Sequence, residues 1–562
     1  MCTTMIVTKG ATIDGSIIVA HSDDDELGDQ RIIQVPAQNH RASSTRKIFK
    51  EHYRYPRLVS NDRGPNYKAP PHEPPYKETE AIGEIPQVEY TYAYFDGNYG
   101  IMNEHNLMMG ECTNGAKFQP EALSEEVADK LSKHRRIMYS QELSRIALER
   151  CKTAREAIEL MGDLIEQYGY YSTGETLLVA DEDEAWVFEM CALPDEQYHS
   201  VWVAKQVPDG DFFVAANEFR IREVKPDADD ILYSKFLFPG LEKVGWWNKE
   251  DGILDWLPAV SDGEYNHPYY SLRRVWRVLD RVNPDLALSP WVKDGFTKDY
   301  PFSIKPNRKL DLKKVFSLYR DHYEGTGFDL TKGVAAGPYN DPHRFVGPYD
   351  GNQNNITEDK KFYGAWERSI SVFYQGYTFV NQVRPNAPEP TKGIVWFGPD
   401  VSYTTCFVPL PVKINELPKA YQTGSPQKLD NESAWWAFDF VNTLSRLNFK
   451  RITEVDIKPL QEELEDMEIK KVELWDETAK KYSEREAIEN ITAECIENSK
   501  EVLNKWWGLS NTLIVKYSDG YINLPDQDAA IDVGYSAEWL SYTNYKEGPT
   551  SYDMRLSSET EK

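Results

Sequence analysis

The sequence predicts a large body of mixed α and β structure, on three observations. Short β-prone runs open the chain, a helical segment leads directly into paired strand runs, and strand-like runs return after a long helical stretch. That alternation within 562 residues argues for one body, residues 1–562, rather than a string of separate units.

Thr3–Val7 and Ser16–Ala20 are short β-prone runs separated by Lys9-Gly10 and Asp14-Gly15, and together they read as a hairpin. Residues 35–90 are polar and rich in proline (Pro56, Pro65, Pro70, Pro71, Pro74, Pro75), a surface excursion rather than a linker. From Ser140 to Gly169 the pattern is helical. Thr153 and Glu156 fit a capping box, and Ala157, Ile158, Met161, Leu164 and Ile165 recur at helix spacing. Thr176–Ala180 and Ala185–Glu189 flank an acidic turn and read as a second hairpin, and Phe212–Ala216 reads as a buried strand ending at Asn217. Gly333–Asn355 reads as loop. Later strands are expected at Ser369–Tyr374, Gly393–Phe397, Thr405–Val408 and Thr512–Tyr517, with a charged helical elaboration over 431–507.

Composition narrows the function. An aromatic content of 13% marks a chain with enough apolar surface to fold. The 91 Asp+Glu against 64 Lys+Arg give a formal net charge of −27, whose field repels phosphate backbones and anionic lipid. Nucleic acid and membrane are therefore not expected partners, and no apolar run reaches the roughly 18 residues of a spanning helix. Six cysteines lie far apart with no C-x-x-C pair, and the N-terminus lacks a secretory signal, so the cytoplasm is the expected compartment. The remaining histidines show no metal-ligand spacing and the Asp23–Asp29 cluster departs from the calcium-loop pattern, so neither metal nor cofactor is expected. A homo-oligomer is compatible with the sequence, which does not specify one.

Cys2 carries the chemistry. Removal of Met1 leaves a thiol and an α-amine on one residue, and an α-amine with a reference pKa near 8 serves as general base around neutrality. Nucleophile and base then come from a single position. With the hairpin turn centred near Ala11–Thr12, the partner of Cys2 falls near His21–Ser22, and His21-Ser22-Asp23-Asp24-Asp25 emerges beside the thiol. A carboxylate there would hold and orient the amine.

The opening M-C-T-T-x-I-V-x-K-x-A-T-x-D-G-S-x-I-x-A-x-S-D-D resembles the start of the dipeptidase A family of N-terminal-nucleophile hydrolases. The likeness continues in Y-G-I-M-N-E-H-N-L-M-M-G-E-C-T (Tyr99 to Thr113), A-A-N-E-F-R-I (Ala215 to Ile221), Y-Y-S-L-R-R-V-W-R-V (Tyr269 to Val278), V-W-F-G-P-D (Val395 to Asp400) and E-S-A-W-W-A-F (Glu432 to Phe438). It implies an α+β fold of four αββα layers and hydrolysis of dipeptides through a cysteinyl acyl-enzyme. In the related choloylglycine-hydrolase group an Arg and an Asp at the end of the second strand support the nucleophile. The Asp matches Asp24, whereas the Arg position falls on His21, a departure that would make activity depend on pH near neutrality. A strand-end histidine with a purely structural role accounts for His21 equally well.

Asn217 matches the family's oxyanion-stabilising amide, and the second donor falls on Thr113 or the adjacent Asn114. Arg274 matches a supporting arginine, with Arg273 beside it as the alternative and a salt-bridged helix residue as the bland reading of both. Asp23 or Asp25 is a candidate partner for a substrate's free α-ammonium group. Two rivals share the fold: an acylase of the penicillin V or bile-salt type, and a catalytically silent protein resembling the secernins.

Overall fold

The computed structural model describes residues 1–25, 28–57, 67, 79–131, 133–195, 197, 199–265, 268–344 and 366–544. Fifteen strands matter for the site. In chain order they are β1 (Cys2–Val7), β2 (Ile17–Asp23), β3 (Ile33–Val35), β4 (Tyr94–Asp96), β5 (Gly100–Asn103), β6 (Met108–Asn114), β7 (Gly174–Ala180), β8 (Ala185–Ala192), β9 (Ser200–Gln206), β10 (Phe212–Ala215), β11 (Ile231–Tyr233), β12 (Ser303–Ile304), β13 (Tyr377–Val383), β14 (Gly393–Pro399) and β15 (Val408–Pro411).

They form two large antiparallel sheets, one of seven strands in the order β12-β10-β1-β2-β13-β14-β15 and one of eight in the order β11-β9-β8-β7-β6-β5-β4-β3. β1 and β2 are buried along their whole length, because they sit in the middle of the first sheet with the second sheet against one face. Covered on both faces, such strands read as near-continuous apolar runs, which is the pattern of Cys2–Val7.

Seven helices flank the sheets: α1 (Ser140–Arg150), α2 (Ala154–Tyr168), α3 (Leu272–Val282), α4 (Leu312–Tyr319), α5 (Ala434–Ser445), α6 (Lys458–Lys481) and α7 (Glu484–Lys516). α1 and α2 pack on the second sheet and enclose one apolar cluster. The other cluster runs between the sheets and out to α5, α6 and α7 on the first. The capping box of α2 forms as expected, with Glu156 N–H donating to Thr153 Oγ1 at 3.3 Å and Thr153 N–H to the Glu156 carboxylate at 3.3 Å. No helix among the described residues is long and apolar enough to cross a membrane.

Several expectations are corrected. Cys2 pairs with Asp23, one to two residues beyond His21–Ser22, because the connecting loop holds a 3-10 turn at Lys9–Ala11 and a separate Asp14-Gly15 turn. Ser369–Tyr374 is irregular and the strand begins at Tyr377, while Thr405–Val408 precedes a strand that starts at Val408. Thr512–Tyr517 is no strand. Its β-branched residues continue α7, where Leu509 and Leu513 lie on the buried side, so tertiary packing overrides local preference. The helical elaboration accordingly runs past residue 507 to Lys516.

The excursion over 35–90 contains short strand pairs, Thr45–Phe49 with Ala81–Pro86 and Gln38–Asn39 with Tyr90–Thr91, while residues 58–66 and 68–78 lie outside the described residues. The loop at 333–355 begins with a 3-10 turn at Val334–Ala336, and its residues 345–355 lie outside the described residues too.

Candidate active site

Directly opposite residues of an antiparallel pair point to the same face. The register therefore sets Cys2 beside Asp23 and Thr4 beside His21 on the face toward the second sheet, with Thr3, Ser22 and Asp24 on the other. On the first face the Cys2 thiol donates to Glu111 Oε2 of β6 at 3.0 Å. Burial pushes that thiol well above its ordinary pKa and the Glu111 charge adds to the rise, while the N-terminal ammonium group opposes it.

Met1 is seated against the end of β2. Its ammonium group donates to the Asp24 carbonyl at 3.1 Å, its own carbonyl accepts from Asp24 N–H at 3.0 Å, and Tyr270 Oη–H donates to its sulfur at 2.6 Å. Burial works against the charge of this ammonium group, yet Cys2, Asp24, Glu111 and Asp23 together raise its pKa well above the ordinary value.

Behind the strand, Arg274 of α3 is fully buried and joins three pieces of the site. Nη1 donates to the Cys2 carbonyl (2.9 Å) and Thr3 Oγ1 (3.0 Å), Nη2 to the Ala216 carbonyl (3.1 Å) and Asn217 Oδ1 (2.8 Å), and Nε to the Tyr270 carbonyl (3.1 Å). Arg273 points elsewhere, stacked on Phe328 at 3.7 Å and on Tyr269 and paired with Glu367, so Arg274 is the one of the two arginines in contact with Cys2 and Asn217.

Asn217 follows β10 with φ +64°, a left-handed conformation that asparagine tolerates better than most residues. Its Nδ2 donates to the Thr113 carbonyl at 2.7 Å and its backbone N–H to Cys112 Sγ at 2.7 Å. Thr113 Oγ1 donates in turn to Glu111 Oε1 at 2.8 Å. Asn114 spends its amide on Thr176 Oγ1 (2.7 Å) in β7, so Thr113 is the member of that pair in contact with the Cys2 group.

Asp24 accepts from Arg368, an ion pair buried on both sides, and its Oδ1 has no partner. A guanidinium thus does lie against this aspartate, from position 368, far along the chain. His21 occupies a different role. Its Nδ1 accepts the Glu111 N–H at 2.9 Å and its ring stacks on Phe379 with centroids 5.1 Å apart. Burial holds its pKa down at about 4, against the pull of Glu111 and Asp24, so it is neutral at physiological pH and titrates below the near-neutral range expected of it. Asp23 Oδ2 accepts from Asn98 Nδ2 at 2.6 Å, and burial lifts its carboxyl to about 7.

Donor atoms of Cys2, His21 and Glu111 converge within 4.8 Å, a set of types that binds metals elsewhere. The hydrogen bonding does not suit an ion. Because Nδ1 accepts from Glu111 N–H, the neutral imidazole carries its proton on Nε2, which then has no lone pair to offer. Within the acidic run, Asp29 is held by Arg31 and Arg57 and lies well below the usual carboxylate range despite its burial.

Glu175, Tyr270 and Arg368 are not singled out as site residues by the sequence, while Gly110-Glu111 matches the family's pattern but reads equally well as a buried, hydrogen-bonded carboxylate. Glu111 and Glu175 sit in strands β6 and β7, where an isolated acid within an apolar run is the available signal that a charge is being buried deliberately.

The chain is similar to known peptidases. The sequence model of peptidase family C69 matches residues 1–462. A "Probable dipeptidase" of Latilactobacillus sakei is 24% identical over 474 residues, covering 81% of this chain and 83% of that protein. A "Dipeptidase" of Bifidobacterium longum is 24% identical over 461 residues (78% and 75%), and "Dipeptidase A" of Lactobacillus helveticus is 22% identical over 473 residues (81% and 84%). With the family model spanning most of the chain, including every residue of the Cys2 group, the protein belongs to peptidase family C69.

Proposed function

We propose that the protein is a cysteine-type dipeptidase of the N-terminal-nucleophile kind, one catalytic body of four αββα layers in which Cys2, freed of Met1, attacks the peptide carbonyl. The observation that carries this reading is the reach of Arg274, which ties the Cys2 carbonyl and the Asn217 amide into one rigid unit. The names of its relatives supply the substrate class, dipeptides.

In the reaction the Cys2 α-amine takes the thiol proton as Sγ bonds to the carbonyl carbon. Asp24, fixed by Arg368, orients the amine, and His21 supports the strand end through Glu111. Asn217 keeps one amide hydrogen beyond its bond to Thr113, and that hydrogen, with backbone N–H groups, stabilises the oxyanion. The carbon–nitrogen bond then breaks, the amine's proton passes to the leaving amino group, and a thioester remains. Water attacks the thioester under the same base, the carbon–sulfur bond breaks, and the thiol regains its proton. Asp23, opposite Cys2, lines the position of the substrate's N-terminus. The six cysteines, all free and buried, fit a reducing compartment such as the cytoplasm.

The test is intact mass before and after iodoacetamide, with mapping of the labelled peptide and turnover of dipeptides against penicillin V and conjugated bile salts. Loss of Met1, selective labelling of Cys2 and parallel loss of dipeptide hydrolysis support the reading. Retained Met1 in active protein, or full activity after Cys2→Ser, refutes it. Preference for the acylase substrates would assign the same machinery to the acylase rival.

A further inference from the structure

Glu111 and Glu175 form a buried acid pair directly behind the nucleophile. Glu111 receives the Cys2 thiol on Oε2 and the Thr113 hydroxyl on Oε1, and Glu175 receives the Tyr139 hydroxyl. Both are fully buried. These contacts are all from neutral groups. Asp24 has Arg368, but Glu111 has no such counter-ion among these partners. Burial, with the neighbouring Glu111 next, raises Glu175 well above its usual pKa and favours its neutral form, while both Glu111 oxygens accept hydrogen bonds from Cys2 and Thr113, as those of a carboxylate do.

A buried, uncompensated negative charge is expensive to maintain, and such charges are ordinarily matched by a cation. The folded chain itself presents one in this place. The Met1 α-ammonium group has its charge stabilised by Cys2, Asp24, Glu111 and Asp23 against the cost of burial. Two further polar atoms at the site, Asp24 Oδ1 and His21 Nε2, are buried without partners.

We propose that Glu111 is a specificity-determining residue, whose carboxylate receives the α-ammonium group of the substrate's N-terminal residue in the space vacated by Met1 and in doing so releases the Cys2 thiol from its hydrogen bond. This rests on the reading of Cys2 as nucleophile. Before substrate binds, the carboxylate holds the thiol in its protonated, poorly nucleophilic form. The arriving ammonium group neutralises the acid pair, and the thiolate becomes easier to form where a free-amine peptide has docked. An N-acylated peptide brings no cation and leaves the thiol held. Selectivity for free N-termini then resides in the activation of the nucleophile as well as in binding. The groups that face Glu111 include Cys2 from β1, with its own α-amine once Met1 is gone, His21 and Asp23 from β2, Tyr99, Thr113 from β6 and Glu175 from β7. The substrate's ammonium group therefore adds to a charge the Cys2 amine carries only in part around neutrality.

The test compares wild type with Glu111→Gln, each freed of Met1 as verified by intact mass. Wild type loses on the order of a hundredfold in kcat/KM when the dipeptide is N-acetylated, the scale of removing one partner of a buried charge pair. Glu111→Gln raises KM for the free-amine dipeptide and closes most of that gap. In a second arm, L-alaninol, an amine with no scissile carbonyl, accelerates alkylation of Cys2 by neutral iodoacetamide in wild type and has no effect in Glu111→Gln. Wild-type discrimination in a Glu111→Gln variant whose Cys2 still alkylates overturns the inference, and so does an alkylation rate in wild type that alaninol leaves unchanged or lowers. If Glu111→Gln fails to fold, Glu111→Asp keeps the carboxylate and must keep the discrimination, and the wild-type alaninol arm stands alone. Failure of the nucleophile reading is separate, because it appears as activity surviving Cys2→Ser.

Discussion

Arg368 and Asp24, 344 residues apart in sequence, form a buried ion pair at the end of the strand that faces Cys2. The pair brings a guanidinium from a distant segment to the end of the strand whose position 21 is a histidine.

Removing that guanidinium strands a carboxylate in the interior. Arg368→Met is expected to lower unfolding stability by about 3–5 kcal/mol, and adding Asp24→Asn in the same chain to restore part of the loss. Urea denaturation of the single and double variants measures the coupling, and strict additivity would show that the pair is not worth its burial.

Asn217 offers a side-chain donor and a strained backbone at once. Asn217→Ala is expected to reduce kcat roughly 10²–10³-fold, the usual consequence of losing one oxyanion donor, with a smaller effect on KM. Its thermal midpoint should also fall, since alanine at φ +64° costs about 1–2 kcal/mol. A kcat within a few-fold of wild type would remove Asn217 from the oxyanion site.

Neighbouring arginines should behave differently. Arg274→Lys keeps the charge but loses the fork that reaches Cys2, Thr3, Ala216 and Asn217, and a roughly 10²-fold fall in kcat is expected from the displaced nucleophile. Arg273→Lys removes stacking on Phe328 and Tyr269, so stability should drop while kcat holds. Steady-state kinetics and melting curves on both variants decide the matter, and equal kinetic defects would contradict the assignment.

Asp23 gives a pH signature. Its folded carboxyl stays protonated to about pH 7, raised mainly by burial, whereas an unfolded aspartate ionises near pH 4. Between those values the folded chain holds a proton the unfolded chain has shed, so this group subtracts stability as pH rises through the window. His21 acts with the opposite sign. It stays neutral in the fold down to about pH 4 and ionises near 6.5 when unfolded, so its part of the stability is lost as pH falls across that range. Asp23→Asn should therefore be more stable than wild type at pH 8 by a few kcal/mol, with the advantage vanishing near pH 4. A pH-independent difference in urea midpoints would show that Asp23 titrates normally.

Local pattern made much of the scaffold legible. The opening hairpin, the capping box at Thr153, the strands at Thr176, Ala185 and Gly393 and the helices after Asn431 announce themselves through period, caps and turns. Thr512–Tyr517 misled because β-branched residues prefer strands only until an amphipathic helix recruits them. At the candidate site, Cys2, Asp24 and Asn217 were singled out from position and resemblance, and the structure brings them together. Arg368 and Glu175 were not, since an ion pair across 344 residues or a carboxyl buried between neighbouring strands leaves no trace in local spacing. The Cys2 register slipped by a residue or two because a nine-residue loop with two turns has no single centre.

The hairpin that bears Cys2 is flanked on one side by β10, starting at Phe212, and on the other by β13, starting at Tyr377. During synthesis the first residues to appear are thus among the last to gain their permanent neighbours. The opening hairpin gains its first outside neighbour in the sheet only with Phe212–Ala215, and its second only when some two-thirds of the polypeptide has been made. In the folded chain the Met1 ammonium group donates to the Asp24 carbonyl, its own carbonyl accepts from Asp24 N–H, and its sulfur accepts from Tyr270. If Cys2 acts once Met1 is removed, trimming would be easiest before those neighbours arrive, which would make maturation a matter of timing on the ribosome.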